Sequence, residues 1–236
     1  FAYCRMIFRD KVKPVDFIYL QINDAFEKIT GLKRELVIGK KVTKAITTSK
    51  SSHDPQVKIY KIKEGITLLH RKNDMSPTFV LHAYLKGGLT VESLKNNGAH
   101  NLISALLTKG FGNLKEKEIK EIIENSSSSL NGFSGKNAYG LTLHGLSEKM
   151  ELLFPLFIGS LINPSMNPKD FTHEREMVYR ALDNLEKNPL QQCFKKVEKL
   201  MFHKHPYSMN QMGTRESVKA LNRKKLIDLH NFNLKK

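Results

Sequence analysis

The sequence changes its pattern once, near Ser147, and this change constrains the fold more than any other feature. Residues 57–146 contain several short runs rich in β-branched and aromatic residues, as in "VKIYKIKEGITLLHRKN" and "FVLHAYLKGG". After Ser147 the apolar residues recur at helical spacing. The predicted helices there are 147–162, 168–187, 189–203 and 214–230. Strands first and helices after predict an α+β fold in which helices pack on a mixed or antiparallel sheet.

Two helices are also expected among the strands. The first covers about 97–109 and is closed by Gly110, and the second covers "LKEKEIKEIIENS". A Ser-rich strand region over 126–134 and a strand in "NAYGLTLHGLS" follow. The sequence therefore predicts a sheet whose strands are separated by helices before the helical C-terminal part begins.

A polar stretch over 47–56 divides the chain. It is rich in Ser and Thr and ends in Asp-Pro, as linkers often do. Upstream of it, "VDFIYLQIN" is a β-rich run, "DAFEKITG" a short amphipathic helix, and "LKRELVIGKKVTKAI" a helix, a turn and an extended piece. The predicted organisation is a separate segment over 1–46, a linker over 47–56 and a main domain over 57–236.

The formal net charge of +16 raises the question of nucleic-acid binding. In "NLKEKEIKEII" and "CFKKVEKLMF", however, lysines alternate with glutamate and apolar residues, which is typical of the solvated face of an amphipathic helix. A nucleic-acid partner is therefore not expected. Only the tail "LNRKKLIDLHNFNLKK" is basic with little acid in it, and it leaves polyanion binding as a weaker alternative.

The sequence lacks a long apolar run and lacks closely spaced cysteines, and both facts bear on where the chain is expected to work. No apolar run approaches the roughly 18 residues that a membrane span needs, so we expect a soluble chain without a membrane partner. Cys4 and Cys193 are far apart and have no metal-binding spacing, which favours a reducing compartment, the cytoplasm, over a disulfide scaffold.

The helix over 97–109 carries part of a zinc-peptidase pattern. In His-x-x-Glu-His, two imidazoles lie on one helical face, and the carboxylate acts on the metal-bound water. The corresponding residues here are His100-Asn101-Leu102-Ile103-Ser104. The first ligand is present, whereas Ile103 replaces the base and Ser104 replaces the second ligand. We therefore interpret His100 as a hydrogen-bonded core residue.

Several stretches in order resemble the M16 metallopeptidase family, the insulysin and pitrilysin group, over roughly 57–236. The stretches that carry the resemblance are "GITLL", "LKGG", "NNGAHNLISALLTKG", "SLNGFSGKNAYGLTLHGLSEKM", "INPSM", "HEREMVYRALDNLEKNP", "HPYSMNQMG" and "RESVKAL". Residues 1–46 are similar to the first half of a PAS sensory module, through "NDAF", "TGL" and the stretch from Glu35 to Gly39. That similarity stops before the later strands of such a module.

The M16 resemblance implies a site without metal. The family's third ligand lies seven residues after a Glu that corresponds to Glu174, and here that position is Ala181. Asp183 is about 200° further around the helix and does not replace it. The sequence therefore looks like the zinc-free half of a two-half peptidase, inactive by itself and without a cofactor. The resemblance implies that zinc belongs to a catalytic partner half, on the same or another chain.

The resemblance also implies a place for the substrate. In active relatives an edge strand beside the zinc helix holds the substrate backbone as an added strand, and the matching residues here are Leu130, Asn131, Gly132, Phe133 and Ser134. A plain buried strand remains the alternative for this stretch. Because relatives continue beyond "LIDLHNFNLKK", we expect this domain to lack its last strands.

Two functions remain open at this point. The first is a non-catalytic M16-type domain that encloses peptide or unfolded polypeptide beside a separate catalytic half. The second is a sensory or regulatory protein in which the PAS-like segment recognises a partner and the M16-like part is a scaffold.

Overall fold

The computed structural model describes residues 2–9, 13–22, 35 and 57–235, and the chain forms two compact units, Phe1–Asn73 and Asp74–Lys236. In the first unit two antiparallel hairpins form sheets of two strands each. Their strands are β1 (Ala2–Arg9), β2 (Lys13–Ile22), β3 (Val57–Lys63) and β4 (Ile66–Arg71). The turn predicted at Glu64-Gly65 joins β3 to β4, and Gly65 has the positive φ of 81° that such a turn requires.

Most of the predicted PAS-like segment and the whole predicted linker lie outside the described residues. The helix expected in "DAFEKITG" and the 47–56 linker both fall there, so both stay predictions. The division between the compact units comes after β4, at residues 73/74, because β3 and β4 pair with each other in a sheet of their own.

The second unit is built on a three-stranded antiparallel sheet in the order β5-β9-β8. Its strands are β5 (Thr78–Lys86), β8 (Ser129–Ser134) and β9 (Ala138–Leu146). A short ribbon of β6 (Gly110–Phe111) and β7 (Leu114–Lys115) follows the first helix, and sequence patterning does not predict it. The two hydrogen-bonded ladders are antiparallel, which agrees with the predicted sheet.

Helices supply most of the rest of this unit. The α-helices are α1 (Ala99–Leu106), α2 (Glu116–Asn125), α3 (Met150–Ile162), α4 (Pro168–Lys187), α5 (Pro189–Phe202), α6 (Arg215–Ala220) and α7 (Arg223–Leu234). Short 3-10 helices cover Leu89–Val91, Ser147–Lys149 and Pro206–Ser208. The α+β fold class predicted from the sequence is confirmed.

The helix starts follow from local chemistry. Asn167 and Asn188 each precede a proline, and their side chains accept hydrogen bonds from the backbone N–H of Asp170 and Gln191. An Asn cap followed by Pro at the first helical position satisfies one free N–H and removes another. Both predicted starts, at residues 168 and 189, are therefore found.

One predicted helix is wrong in extent. The stretch 214–230 is not continuous, because Leu221 is extended at φ −73° and ψ 140° and ends α6. Asn222 then caps α7 by accepting the backbone N–H of Lys225. An Asn side chain that bonds its own backbone competes with the helical hydrogen bonds, and this local capping outweighs the helical apolar spacing.

The core lies on one face of the three-stranded sheet. Along β9 the alternate residues Tyr139, Leu141 and Leu143 are fully buried. Residues from the helices that pack with them are also buried. The main members from α1 and α3 are Leu102, Ile103, Leu106, Leu153, Leu156 and Phe157. The helix with the incomplete zinc-peptidase pattern is thus a core element of this unit.

Candidate functional site

The start of α1 is capped by a carboxylate from outside the helix. Gly98 is the N-cap residue with a φ of 90°, and it has no side chain to offer the free N–H groups. Glu92 Oε2 accepts the N–H of Gly98 at 2.8 Å and the side-chain amide of Asn97 at 3.0 Å. Glu92 Oε1 accepts the backbone N–H of His100 at 2.9 Å. A buried negative charge therefore sits at the positive end of this helix.

The same carboxylate fixes the imidazole of His100. His100 Nδ1 lies 2.8 Å from Glu92 Oε1, and His100 Nε2 lies 3.2 Å from the amide nitrogen of Asn233. Since Asn233 Nδ2 can only donate, Nε2 accepts this bond, and Nδ1 carries the proton that is donated to Glu92. His100 has no exposed surface. Both ring nitrogens are thus engaged with the protein itself.

The hydrogen bonds continue from Asn233 through the core. Asn233 Nδ2 also donates to Tyr139 Oη at 3.3 Å, and Tyr139 donates to His230 Nδ1 at 3.0 Å. His230 Nε2 then donates to the carbonyl oxygen of Leu161 at 2.8 Å. This buried network, from Glu92 to Leu161, links the start of α1 to β9, α7 and α3.

The environment of Glu92 favours its charged form. Burial by itself raises the pKa of Glu92. Hydrogen bonds from the His100 ring, the backbone N–H groups of His100 and Gly98, and the Asn97 amide together lower the pKa by more than burial raises it. The resulting pKa lies below the usual value of 4.5. Hydrogen bonding to the ionised form thus outweighs desolvation, and Glu92 is an ionised acceptor at neutral pH.

The other titratable members of the network are held neutral. Burial raises the pKa of Tyr139 to about 12, against the opposing hydrogen bond from Asn233. Burial lowers the pKa of His230, the hydrogen bond to Leu161 opposes this, and the nearby His100 lowers it further. A protonated phenol and a neutral imidazole are the forms that the directions of the hydrogen bonds require.

The other positions of the zinc-peptidase pattern have no metal donors. Ile103 is fully buried in the core, and Ser104 Oγ donates to the carbonyl oxygen of Asn101 at 2.8 Å. Ala181 is half-buried on α4, and Asp183, two residues further on, forms an ion pair with Arg215 instead. Within the described residues no group of three or more His, Cys, Asp or Glu side chains could hold a metal ion. The residues at this site do not fit a catalytic zinc, which takes three protein ligands.

The strand predicted to hold substrate is at an edge of the sheet. Residues 129–134 pair with β9 on one side, from Ser129 opposite His144 to Ser134 opposite Tyr139. In the part of the chain that the structure describes, no strand pairs with the other side of β8. Leu130 and Ser134 are half-buried, as is Phe133, whereas Asn131 and Gly132 are exposed. Among the described strands, this stretch therefore lies at an edge of the sheet.

β8 and α1 are in direct contact at Gly132. A Cβ atom on Gly132 would lie 1.9 Å from the carbonyl oxygen of Ser104, which is far closer than any real contact. Only glycine permits this approach. The structure thus places β8 against the helix that carries His100, and substrate binding at β8 stays a prediction.

Sequence reasoning missed the partners of His100. Glu92 lies eight residues before His100, and the helix start at Gly98 without a capping side chain is a local signal that could have found it. Asn233 and His230 carry no such signal, because Asn233 is 133 residues from His100 in the chain. Only the fold brings Asn233 to the imidazole of His100 and His230 to the Tyr139 hydroxyl.

No helix in the described part of the chain is both long enough and apolar enough to cross a membrane.

A family model and several curated proteins are similar to this chain. The family model described as Insulinase (Peptidase family M16) matches residues 69–215. The probable mitochondrial-processing peptidase subunit beta of Schizosaccharomyces pombe is 21% identical over 173 residues, which is 73% of this chain and 38% of the relative. Subunit 1 of the mitochondrial cytochrome b-c1 complex of Bos taurus is 21% identical over 174 residues, 74% of this chain and 36% of the relative.

Solved structures show the same fold. The peptidase M16 inactive domain from Pseudomonas fluorescens superposes with a TM-score of 0.69 at 19% identity, over 74% of this chain and 42% of that one. A protease from Helicobacter pylori gives 0.70 at 16% identity, over 76% and 43%. The chain thus spans about two fifths of the length of the relatives that it matches.

Proposed function

The chain belongs to the insulinase family of peptidases, M16, and from this premise we propose that it is a non-catalytic domain that holds peptide substrate beside a separate catalytic half. The observation that carries the proposal is the state of His100. Its two ring nitrogens are bonded to Glu92 and Asn233 inside the core. The helix that binds zinc in a catalytic half is therefore, in this chain, a buried core helix whose N-terminus is capped by Glu92.

Zinc binding at this helix would require the buried network to be broken. A metal would have to replace Glu92 or Asn233 at the imidazole, and it would find Ile103, Ser104 and Ala181 in place of further ligands. A buried hydrogen-bonding group that loses its partner costs about 1–3 kcal/mol, and more when that group is the charged Glu92 carboxylate. With a single imidazole as ligand, nothing offsets this cost. We therefore assign zinc and bond cleavage to the partner half.

The proposed substrate site is the free edge of β8. An extended peptide can add to such an edge through main-chain hydrogen bonds, which tolerate many sequences. Leu130–Ser134 supplies this edge, and the exposed Tyr84 ring of β5 reaches across Gly140 of β9 to lie 5.1 Å from the Phe133 ring. The two rings give the edge an apolar surface for one side chain of the peptide. The edge strand and its contact with α1 need no metal.

The relatives support a partner half. The two curated proteins named above are described as subunits, one of a processing peptidase and one of the cytochrome b-c1 complex, and one structural neighbour is described as an inactive domain. Since the chain spans about two fifths of each curated relative, we infer that the catalytic half lies on another part of the same polypeptide or on another chain.

Peptides with N-methyl groups test this proposal. In an added strand, alternate residues direct their N–H groups to the neighbouring strand, so methyl groups on three residues of one parity remove the shared bonds and those on the other parity do not. Each lost hydrogen bond costs about 1 kcal/mol. We expect roughly a hundredfold weaker binding for one parity only. The measurement is fluorescence anisotropy of a labelled unstructured peptide, with the full chain and a chelator present.

The matched control is the peptide of opposite parity, which has the same composition and the same number of methyl groups. Equal loss of binding for both parities, or no loss for either, would show that the peptide does not pair with a strand edge. Binding that disappears with the chelator, or cleavage of the peptide by this chain, would contradict the assignment of a non-catalytic half.

The alternative functions gain no support from the described residues. The PAS-like interpretation rests mainly on 23–46, and of these only Glu35 is described. The relatives named above carry the word mitochondrial in their names, so they do not support the predicted cytoplasmic compartment. The sensory function therefore stays a second candidate without an observation in its favour.

A further inference from the structure

A pocket with three cationic side chains lies between α4 and α6. It has a volume of about 560 Å³ and is lined by Arg175, Tyr179, Arg215 and Lys219. In each helix the two lining residues are four positions apart and so lie on one face. Helix packing thus places two arginines and a lysine around one open space. None of these residues belongs to β8 or to the buried network of His100.

The positive charge of this pocket is only partly balanced. Arg215 forms an ion pair with Asp183, and its guanidinium lies 5.5 Å from the centre of the Tyr179 ring. Among the described residues, neither Arg175 nor Lys219 has an ion-pair partner. Asp183 is the one carboxylate in direct contact, whereas Glu186 and Glu216 act on Arg215 at longer range, so Arg175 and Lys219 line the pocket without an ion pair of their own.

Arg175 provides an independent observation. Its guanidinium lies 5.2 Å from the centre of the Phe171 ring, and its Nε is buried without any hydrogen-bond partner. A buried donor without an acceptor costs about 1–3 kcal/mol, and such groups are uncommon in folded proteins. Nε is one of the N–H groups with which an arginine binds an oxyanion in a bidentate way. Arg175 thus lines the pocket with a guanidinium whose Nε has no acceptor among the described residues.

We propose that this pocket binds an oxyanion, a carboxylate or a phosphate group, through Arg175 and Lys219. Arg215 is held in place by Asp183 and Tyr179 and forms the cationic rim. The volume of about 560 Å³ leaves room for an oxyanion that is free or attached to a larger molecule. No residue that lines this pocket belongs to the proposed peptide-binding edge, and the proposal does not depend on the absence of zinc.

Isothermal titration of inorganic phosphate into the full chain at low ionic strength is the first test. A hydrogen bond to a charged group contributes about 1.5–3 kcal/mol, so Arg175→Met and Lys219→Met should each weaken binding roughly tenfold or more. Lys117→Met is the matched control, because Lys117 is an exposed lysine on α2. It removes one charge from the same chain and should change phosphate affinity less than twofold. Thermal unfolding of each variant shows whether it is folded, and the exposed Lys219 gives a testable variant even if Arg175→Met is unstable.

Three results overturn the proposal. The first is no measurable phosphate binding, and the second is unchanged affinity in both pocket variants. The third is an equal loss of binding in Lys117→Met and Lys219→Met, which would indicate that phosphate responds only to the total charge of the chain.

If phosphate binds at the pocket, a second titration identifies the source of the group. A phosphoserine peptide is compared with an unphosphorylated peptide that ends in a free carboxylate and with its amidated form. A preference for the phosphopeptide assigns phosphate, and a preference for the free acid over the amide assigns carboxylate.

Discussion

Replacing Glu92 with alanine is expected to lower the free energy of unfolding of the Asp74–Lys236 unit by about 3–5 kcal/mol, because several buried donors lose their acceptor at a cost of about 1–3 kcal/mol each. Glu92 accepts hydrogen bonds from Asn97, Gly98 and both the backbone and the ring of His100. Alanine leaves the Gly98 and His100 donors buried without an acceptor, and the Asn97 amide keeps only its bond to the carbonyl oxygen of Asn210. Urea unfolding of the chain followed by circular dichroism measures the loss.

The pH dependence provides an internal control for this prediction. The pKa of Glu92 is lower in the folded chain than its usual 4.5, so its stabilising contribution is fully present above about 4.5 and is lost as the pH falls through the folded value. The difference between wild type and Glu92→Ala should therefore shrink in acid. Glu121→Ala, at an exposed glutamate on α2, should cost less than about 0.5 kcal/mol. A Glu92→Ala chain as stable as the wild type at neutral pH would show that the cap and the network contribute nothing.

Gly132→Val is expected to cause the second large loss, at least about 1–3 kcal/mol, which is the usual range for overpacking. The new Cβ would meet the carbonyl oxygen of Ser104 at 1.9 Å, and a backbone atom in a packed helix cannot move aside cheaply. β8 would have to separate from α1. Thermal or urea unfolding measures the loss, and hydrogen exchange shows whether the amides of β8 lose their protection.

The neighbouring residue gives the matched control. Asn131 is exposed and alternates with Gly132, so its side chain lies on the opposite face of β8, away from α1. Valine suits a strand, and Asn131→Val should leave stability unchanged within about 0.5 kcal/mol. Similar losses from the two substitutions would mean that the contact between Gly132 and Ser104 does not limit the packing of β8.

Much of the fold follows from local patterns in the sequence. The helix over 168–187 has the bounds predicted, because an Asn-Pro start and apolar spacing both indicate it. The turn at Gly65 and the strands that become β5 and β9 likewise follow from alternation and glycine. The break at Leu221-Asn222 was missed, because a cap that interrupts an otherwise helical apolar pattern depends on one side chain.

The chemistry of the site was predictable only in part. The sequence alone shows that Ile103, Ser104 and Ala181 stand where the family pattern has its base and two zinc ligands, because the spacing between those positions is fixed in the pattern. The reason why His100 persists cannot be read in this way. Its ring bonds to Glu92 from the preceding loop and to Asn233 from the end of α7, and tertiary packing alone determines the second contact.

Zinc content, measured by plasma mass spectrometry, tests the central claim most directly. The chain is incubated with excess zinc and then freed of loosely bound ions, in parallel with a His100→Gln variant. With both nitrogens of His100 engaged and no donors at residues 103, 104 and 181, we predict far less than one zinc per chain, and no difference between wild type and variant. One zinc retained per wild-type chain and lost in His100→Gln would show that this helix still holds a metal.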